Sequence, residues 1–377
     1  IATSTTEGET MRRHRPPTVL ATVLGLLVAA TTLVAAPGAP AEAAPPTLPN
    51  PNSFGLTVVS GPTAVSGKPD QYDITLRTAA IFTPRTTPTT PSNVSVPVKV
   101  RVLLPAGYDP DRAQPYDVLY LLHGGMGTYA DWSTKGDVAG NIPGFDGIVV
   151  MPEGGRSGWY SDWPGHTDGG FAPLWETFHI HQLVPWVDAN FNTSGTRSGR
   201  AIAGLSMGGY GALRYAGRYP HLFSAVGAFS AGTDINPPGA QETVSNSMWV
   251  FGATIENTGL LDGHFRVNPP WFSGIDPVQY RLETVFGPRS SWPSINPMDL
   301  APAYNAFDGR MAVYAGGWGG ETDIGTWNLA FHQRLEQAGV DHRWCGGQGS
   351  HDWTWWKRHL RDFVAYAYGT TPSSCPN

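Results

Sequence analysis

The stretch that decides the fold is Arg200-Ala-Ile-Ala-Gly-Leu-Ser206-Met-Gly-Gly-Tyr-Gly-Ala-Leu213, an apolar run that passes through Gly-x-Ser-x-Gly into a helical pattern. Residues 201–203 predict a buried strand, and residues 207–219 predict a helix that ends before Pro220. A serine on such a strand-to-helix turn is held in strained geometry, and the flanking glycines leave room for the turn to close. Because the following helix directs its free amides at the serine, the pattern predicts a nucleophile elbow at Ser206.

Continuous apolar runs lie on both sides of this elbow. They are typical of strands buried on both faces of a parallel sheet, whereas two earlier segments alternate apolar and polar residues, as strands with one wet face do. The buried runs are residues 118–122, 148–151, 225–229 and 311–314, the alternating segments are 72–77 and 96–102, and helical patterns cover 175–190, 207–219, 327–338 and 353–368. This order predicts an α/β fold with a mostly parallel, doubly wound sheet that starts with antiparallel strands.

One long segment interrupts the alternation of strands and helices. Residues 232–308 are rich in Pro, Gly, Trp and Asn, show no clean period, and lie between two predicted core strands. Such an insertion in a compact domain is usually a lid or a binding surface. We therefore expect a catalytic domain of residues 54–370 with a lid-like insertion at 232–308, followed by a C-terminal tail of residues 371–377.

The N-terminal residues have the three parts of a secretory signal peptide. These are the basic Met11-Arg-Arg-His-Arg15, an apolar run over residues 19–36, and the small-residue cleavage site Ala41-Glu-Ala43. We expect three segments: residues 1–10 as a non-native upstream extension, 11–43 as the signal peptide, and 44–53 as a Pro-rich linker. A retained membrane anchor is the alternative, but Pro37-Gly38 breaks the apolar run. The sequence predicts a secreted, extracellular protein without a stable membrane anchor after cleavage.

Composition excludes some partners and favours a disulfide. A net charge of −6 with 14% charged residues argues against a nucleic-acid binder, which would carry a basic patch. Cys345 and Cys375 are the only cysteines, and in an oxidising compartment such a pair is more readily bridged than free. The bond would fasten the tail to the segment before His351 and stabilise the fold by about 3 to 4 kcal/mol. Two cysteines are too few for the usual structural metal site, so no metal or other cofactor is expected.

Further strings carry a resemblance to a known family. They are Leu121-Leu-His-Gly-Gly125, Met151-Pro-Glu-Gly-Gly155, Tyr160-Ser-Asp-Trp163, Trp175-Glu-Thr-Phe178, Phe286-Gly-Pro288 and Gly349-Ser-His351. With the elbow, they resemble the esterase family of α/β-hydrolases, which holds formylglutathione hydrolases, feruloyl and acetyl esterases, and the mycolyltransferases of actinobacterial envelopes. The Tyr160 and Trp175 strings are closest to the secreted mycolyltransferase-like branch.

This sequence also departs from the mycolyltransferase branch. That branch has an acidic residue where this chain has His123, an arginine near Met126, and alanines in place of Gly208 and Gly209. The resemblance therefore implies the α/β-hydrolase fold and its serine chemistry more strongly than it implies recognition of a sugar acceptor.

In an α/β-hydrolase the catalytic triad follows the chain order serine, acid, histidine. His351, in a glycine-rich loop after the last predicted strand, is the candidate base that takes the Ser206 proton and returns it to the leaving alcohol. The acid should follow the strand at 311–314, where Glu321 and Asp323 both qualify. The family pattern favours Glu321, whereas an aspartate is commoner in the wider fold.

The remaining site residues follow from the loops around the elbow. An oxyanion hole needs two backbone amides aimed at one point; Met207, after the nucleophile, supplies one, and the resemblance implies Gly125 as the other. His123 is expected to be structural or to line the pocket beside Met126. Aromatic side chains on loops at the carboxyl ends of strands either bind substrate or pack the loops; these candidates are Trp132, Trp159 and Trp163.

These expectations describe a secreted serine esterase that hydrolyses carboxylic esters of small molecules, polysaccharides or lipids through an acyl-enzyme on Ser206. One alternative is a mycolyltransferase-like acyltransferase that moves the acyl group to a sugar or glycerol hydroxyl. It shares every catalytic residue and differs only in whether the pocket excludes water and holds an acceptor. A second alternative is a non-catalytic cell-surface or carbohydrate-binding protein on the same fold, against which Ser206, His351 and a nearby acid argue.

Overall fold

The computed structural model describes residues 44–85, 92–95, 97–164, 173–247, 249–250, 265–266, 282–318, 321–369 and 372–376. The strands are β1 (Leu56–Ala64), β2 (Gln71–Thr78), β3 (Phe82–Arg85), β4 (Ser92–Ser95), β5 (Val98–Leu103), β6 (Asp117–Leu122), β7 (Gly147–Pro152), β8 (Arg200–Leu205), β9 (Ala225–Phe229), β10 (Trp249–Val250), β11 (Phe265–Arg266), β12 (Met311–Ala315) and β13 (Arg343–Gly346). The α-helices are α1 (Asp131–Thr134), α2 (Val138–Asn141), α3 (Val184–Asn190), α4 (Met207–Arg218), α5 (Pro238–Ser247), α6 (Leu282–Phe286), α7 (Thr322–Gln337) and α8 (Trp353–Tyr368). The predicted upstream extension and signal peptide lie outside the described residues.

Nine strands form one mixed sheet in the order β1-β2-β5-β7-β6-β8-β9-β12-β13. The pairs β1–β2, β2–β5 and β5–β7 are antiparallel. From β7 to β13 every neighbouring pair is parallel. Since the antiparallel strands come first in the chain, the sheet confirms the predicted fold class.

Both faces of the sheet are covered by helices. Side chains alternate along β6, so that Tyr120 joins the core cluster that contains Leu213 of α4, whereas Leu121 joins the opposite cluster with Leu360 of α8. All six residues of β7 and of β8 are buried. Burial on both faces explains why these strands are continuous apolar runs in the sequence.

Two strands of the sheet carry no clear sequence signal. β1 contains Gly61-Pro62, which is typical of a turn, and its pairing with β2 has irregular register at this point. Such a break is tolerated because β1 is an edge strand. β13 is a four-residue strand, Arg-Trp-Cys-Gly, too short and too mixed to form an apolar run.

The helix predicted over 175–190 has two parts. Residues Thr177–Leu183 form a π-helix, and α3 follows it. Just before the π-helix, the buried carboxylate of Glu176 pairs with Arg214 of α4 at 2.5 Å and with Arg218 at 2.9 Å. This buried charge cluster holds the segment after the Trp159 loop against α4.

The two ends of the described chain are tied to the domain. At the start, the amide of Asn50 donates to the Asn190 side chain of α3 at 2.8 Å, so the stretch predicted as a Pro-rich linker is docked at its end. At the other end, Cys345 and Cys375 form the predicted disulfide. The described residues belong to one compact unit, Ala43–Asn377, and none of their helices is long and apolar enough to cross a membrane.

Candidate active site

The predicted elbow forms at Ser206. β8 ends at Leu205 and α4 begins at Met207, so one residue turns the chain from strand to helix. Ser206 has φ 53° and ψ −119°, a region that non-glycine residues occupy only where the surrounding structure enforces it. A Cβ on Gly208 would lie 2.4 Å from the carbonyl oxygen of Leu122, so glycine allows the first turn of α4 to approach β6 this closely.

His351 faces Ser206 across the carboxyl edge of the sheet. It lies in the loop between β13 and α8, and the following Asp352 caps α8 by accepting two of its first amide hydrogens. Nε2 of His351 lies 3.1 Å from Oγ of Ser206, within hydrogen-bond distance. The indole of Trp356 packs against the imidazole with the ring centroids 4.9 Å apart, which restricts the ring's orientation.

Glu321 extends this pair into a chain of three side chains. Its Oε1 lies 3.3 Å from Nδ1 of His351, and the side chain is fully buried. Asp323, the other candidate acid, lies in the first turn of α7 and is exposed. The structure therefore places Glu321, the residue that precedes α7, against His351 and leaves Asp323 in solvent.

The two backbone amides predicted to form the oxyanion hole have no acceptor among the described residues. One belongs to Met207 at the start of α4, and the other belongs to Gly125 in the loop after β6. Gly124 brings that loop against Ser206, because a Cβ on Gly124 would lie 3.4 Å from Cβ of Ser206. Amides left free beside a nucleophile can donate to a developing oxyanion.

Of the two roles expected for His123, the structure supports the structural one. The ring is fully buried and lies between two backbone segments. The Gly154 amide donates to Nε2 at 2.9 Å, which places the ring proton on Nδ1, 2.8 Å from the carbonyl oxygen of Gly124. His123 therefore does not belong to the substrate-binding surface; it links the loop after β7 to the loop after β6.

Trp132 and Trp163, two of the expected substrate-binding residues, are buried. Each is 1% exposed, and each donates its indole N–H to a backbone carbonyl at 3.0 Å. Large aromatic rings whose polar atom is satisfied internally are packing residues. Both tryptophans therefore have the packing role that was also open to them, Trp132 from α1 and Trp163 from the loop after β7.

Trp159 does lie at the site. A cavity beside Ser206 is lined by residues of α4, α5, α7 and the neighbouring loops, which include Trp159, Met207, Ile235, Val244, Ile324 and Trp327. Met126, which follows Gly125, is 47% exposed. The lining residues of α5 and α7 carry no sequence signal, because an apolar side chain in an aperiodic insertion or on a helix does not show which surface it faces.

No three His, Cys, Asp or Glu side chains converge to hold a metal ion within the described ranges. The predicted lid is described only in part, through residues 232–247, 249–250, 265–266 and 282–308. In that part, α5 supplies Ala240, Thr243 and Val244 to the cavity wall.

The sequence and the fold match known proteins. The family described as "Putative esterase" matches residues 92–367. "Esterase Rv1288" of Mycobacterium tuberculosis (strain ATCC 25618 / H37Rv) is 46% identical over 269 residues, which are 67% of this chain and 52% of that protein. The chain thus spans about half the length of this curated relative. "Diacylglycerol acyltransferase/mycolyltransferase Ag85B" of Mycolicibacterium smegmatis is 30% identical over 236 residues, 57% of this chain and 65% of that protein.

A solved S-formylglutathione hydrolase from Agrobacterium tumefaciens superposes with a TM-score of 0.55 at 15% identity, covering 82% of this chain and 98% of that one. At this identity the likeness shows the fold alone. Three features of this chain fit an α/β-hydrolase: the mostly parallel sheet, the elbow at Ser206, and the order of Ser206, Glu321 and His351 along the chain. By its sequence match over residues 92–367 and by this architecture, the chain belongs to the esterase family of α/β-hydrolases.

Proposed function

We propose that this protein is a serine esterase that hydrolyses carboxylic esters through an acyl-enzyme on Ser206. One observation carries the proposal: Oγ of Ser206, the imidazole of His351 and the carboxylate of Glu321 form a continuous chain with contacts of 3.1 and 3.3 Å. A serine, a histidine and a buried acid in this arrangement activate the hydroxyl as a nucleophile.

In the first half of the reaction, His351 Nε2 takes the Ser206 hydroxyl proton while Oγ bonds to the ester carbonyl carbon. The negative charge moves to the carbonyl oxygen, where the amides of Met207 and Gly125 are free to donate. When this intermediate collapses, the bond to the alcohol oxygen breaks and His351 returns the proton to that oxygen. Glu321 keeps Nδ1 protonated and stabilises the imidazolium.

In the second half, water replaces the alcohol. A water molecule gives one proton to His351 as its oxygen bonds to the acyl carbon, and Ser206 leaves with that proton. The products are a carboxylic acid and the free enzyme. The mostly apolar cavity beside Ser206 supports an apolar acyl group in the substrate, whether a small-molecule, polysaccharide or lipid ester.

Export of the protein is part of the proposal. The signal-peptide pattern in residues 11–43 and the Cys345–Cys375 disulfide both support a secreted, extracellular protein.

Acyl transfer to an alcohol is the second candidate function, favoured by the relative named diacylglycerol acyltransferase/mycolyltransferase. Two observations weigh against it. His123 is buried, and the exposed Met126 is apolar, so neither supplies a charged group to hold a sugar acceptor. Each buried hydrogen bond that is missing should weaken the binding of an acceptor by roughly 1 to 3 kcal/mol. We therefore propose that water is the main acceptor.

The nucleophile is tested with Ser206→Ala. The variant should fold, because removal of one hydroxyl opens only a small void, and it should neither hydrolyse 4-nitrophenyl esters nor react with a fluorophosphonate. His351→Ala should lose hydrolysis as well and react with the fluorophosphonate more slowly. More than trace activity in purified Ser206→Ala protein would contradict the proposal.

The acceptor is tested by product partition. One activated ester is turned over in the presence of millimolar trehalose, glucose or glycerol, and free acid and acylated product are measured by mass spectrometry. Acyl transfer exceeds hydrolysis only where the acceptor is held in near-attack geometry. Because the groups that would hold a sugar are missing here, free acid should be the main product. An excess of acylated product with any of the three alcohols would replace hydrolysis by the transferase function.

A further inference from the structure

We propose that Arg156 forms an anion-binding subsite beside the reacting centre, which favours esters that carry a carboxylate over neutral esters of similar shape. The inference rests on the proposed function, because it assigns a substrate class to the same site. Arg156 ends the string Met151-Pro-Glu-Gly-Gly-Arg156, in the loop that follows β7 at the carboxyl edge of the sheet.

The backbone of Arg156 contacts the loop that carries the proposed oxyanion donor. Its carbonyl oxygen accepts the amide of Met126 at 2.7 Å, and a Cβ on Gly125 would lie 3.8 Å from the same oxygen. Gly124, the residue before Gly125 in that loop, lies against Ser206. From this backbone position we infer that the Arg156 side chain, which does not line the cavity beside Ser206, reaches an ester substituent that extends out of that cavity.

The guanidinium of Arg156 has no counterion within the described part of the chain. Among the described residues, no carboxylate oxygen lies within 4.0 Å of it, and its buried Nε has no hydrogen-bond acceptor. The side chain is only partly exposed. By contrast, Arg101 and Arg343, which are also shielded from solvent, each pair with an aspartate at 2.7 Å.

The nearest acid along the chain is engaged elsewhere. Oε1 of Glu153 accepts the Gly155 amide at 3.1 Å and lies 3.3 Å from Nε2 of His123. Its Oε2 accepts the amide of Tyr129 at 3.3 Å. Glu153 therefore stabilises the loops around the site and does not pair with Arg156.

An unpaired, half-shielded guanidinium is a good receptor for a carboxylate. It has lost part of its hydration without gaining an acceptor, and its planar fork matches a carboxylate in bidentate geometry. The chain as a whole carries a net charge of −6, whose field disfavours anionic substrates. A preference for anionic esters would therefore come from a local cation, and Arg156 is placed to supply it.

Two pairs of esters test the proposal, and each pair has one anionic and one neutral member. On the acyl side, mono-(4-nitrophenyl) adipate is compared with its methyl ester; on the alcohol side, 4-acetoxybenzoate is compared with its methyl ester. The unmodified protein should prefer the anionic member of one pair, which shows the side on which the anion binds. Arg156→Gln should lower kcat/KM for that member by roughly 10- to 100-fold, mainly through KM, and leave its neutral partner nearly unchanged.

Matched variants separate charge from structure. Arg310→Gln removes the same charge next to the amino end of β12, on the opposite edge of the sheet, and should not change the preference. Arg156→Lys keeps the charge but loses the fork, so it should retain part of the preference. Added salt should reduce the preference of the unmodified protein because it screens the ion pair. Equal losses for the anionic and neutral members, or no preference in the unmodified protein, would overturn the subsite.

Binding gives a second measurement that does not depend on turnover. In the Ser206→Ala background, affinities for adipate and 4-hydroxybenzoate are measured by calorimetry with and without Arg156→Gln. The substitution should weaken at least one of them roughly 10-fold. If neither acid binds, or if both bind equally well to the two proteins, the subsite is wrong. If the unmodified protein hydrolyses none of the four esters, the proposed function fails, and the calorimetry still decides the role of Arg156.

Discussion

The imidazole of His123 holds the carbonyl oxygen of Gly124 through a contact of 2.8 Å from Nδ1. That carbonyl and the amide of Gly125 belong to one planar peptide unit, so fixing the direction of the C=O also fixes the direction of the N–H. The Gly127 amide donates to the same oxygen at 3.1 Å. The buried histidine therefore orients the amide that we propose as an oxyanion donor.

This relationship predicts a contrast between two substitutions. His123→Asn keeps a donor near the position of Nδ1, whereas His123→Gln keeps only an acceptor near the position of Nε2 for the Gly154 amide. We expect His123→Gln to lower kcat by about 10- to 100-fold with little change in KM, and His123→Asn to retain most of kcat. Thermal melts of both variants serve as the control, since each loses one buried hydrogen bond. Equal losses of kcat would mean that His123 only stabilises the loops.

The acid of the triad is tested by a second pair of substitutions. Glu321→Gln keeps the shape of the side chain but removes the charge 3.3 Å from His351, and kcat should fall by roughly 10²- to 10⁴-fold. Asp323→Asn changes an exposed side chain in the first turn of α7 and should change kcat very little. Steady-state kinetics with one neutral ester measure both, and the reverse order would transfer the role to Asp323.

Glu176 makes the stability of the fold sensitive to acid. Burial raises its pKa, but the charges of Arg214 and Arg218 and the hydrogen bond from Tyr219 lower it by more, so the pKa of the folded state lies below the ordinary value of 4.5. A carboxylate with a lowered pKa stabilises the folded state above the unfolded-state value, and this contribution is lost as pH falls through the folded-state value. The free energy of unfolding should therefore decrease below about pH 4.5.

Glu176→Gln tests this contribution directly. At pH 7 the variant should lose about 3 to 5 kcal/mol of stability, because it leaves Arg214 buried without a charged partner. Below pH 5 its urea midpoint should fall less steeply than that of the unmodified protein, since one group that links pH to folding is gone. Parallel curves for the two proteins between pH 7 and 3 would contradict the role of Glu176.

The disulfide should stabilise the C-terminal end of the domain. Replacement of Cys345 and Cys375 by serine, or reduction of the bond, should lower the free energy of unfolding by about 3 to 4 kcal/mol, because a loop of the unfolded chain is no longer closed. A shift of the melting temperature checks this, and non-reducing peptide mapping should find the two cysteines joined in the exported protein. Two free thiols there would show that the bond is not part of the native protein.

Local patterns were sufficient to predict the framework of the site. Ser206 lies on the turn between a buried strand and a helix. The apolar run of the strand and the helical pattern after it can both be recognised without reference to distant residues. The parallel strands are apolar throughout because both of their faces are covered, so they are visible in the sequence. The glycine-rich loop before His351 is likewise a local signal. The sequence alone thus determined the fold class, the elbow at Ser206 and the candidate histidine, but not the order of the strands in the sheet.

Tertiary structure decided which side chains face the site. Glu321 and Asp323 are two residues apart, and the start of α7 at Thr322 determines that the first is buried against His351 and the second is exposed. Trp132 and Trp163 stand on loops in the sequence, but the packing around each indole buries it. Burial and pairing depend on residues brought together from distant parts of the chain. For that reason only the folded protein shows that the carboxylate of Glu321 lies beside His351, and that Arg156 has no counterion among the described residues.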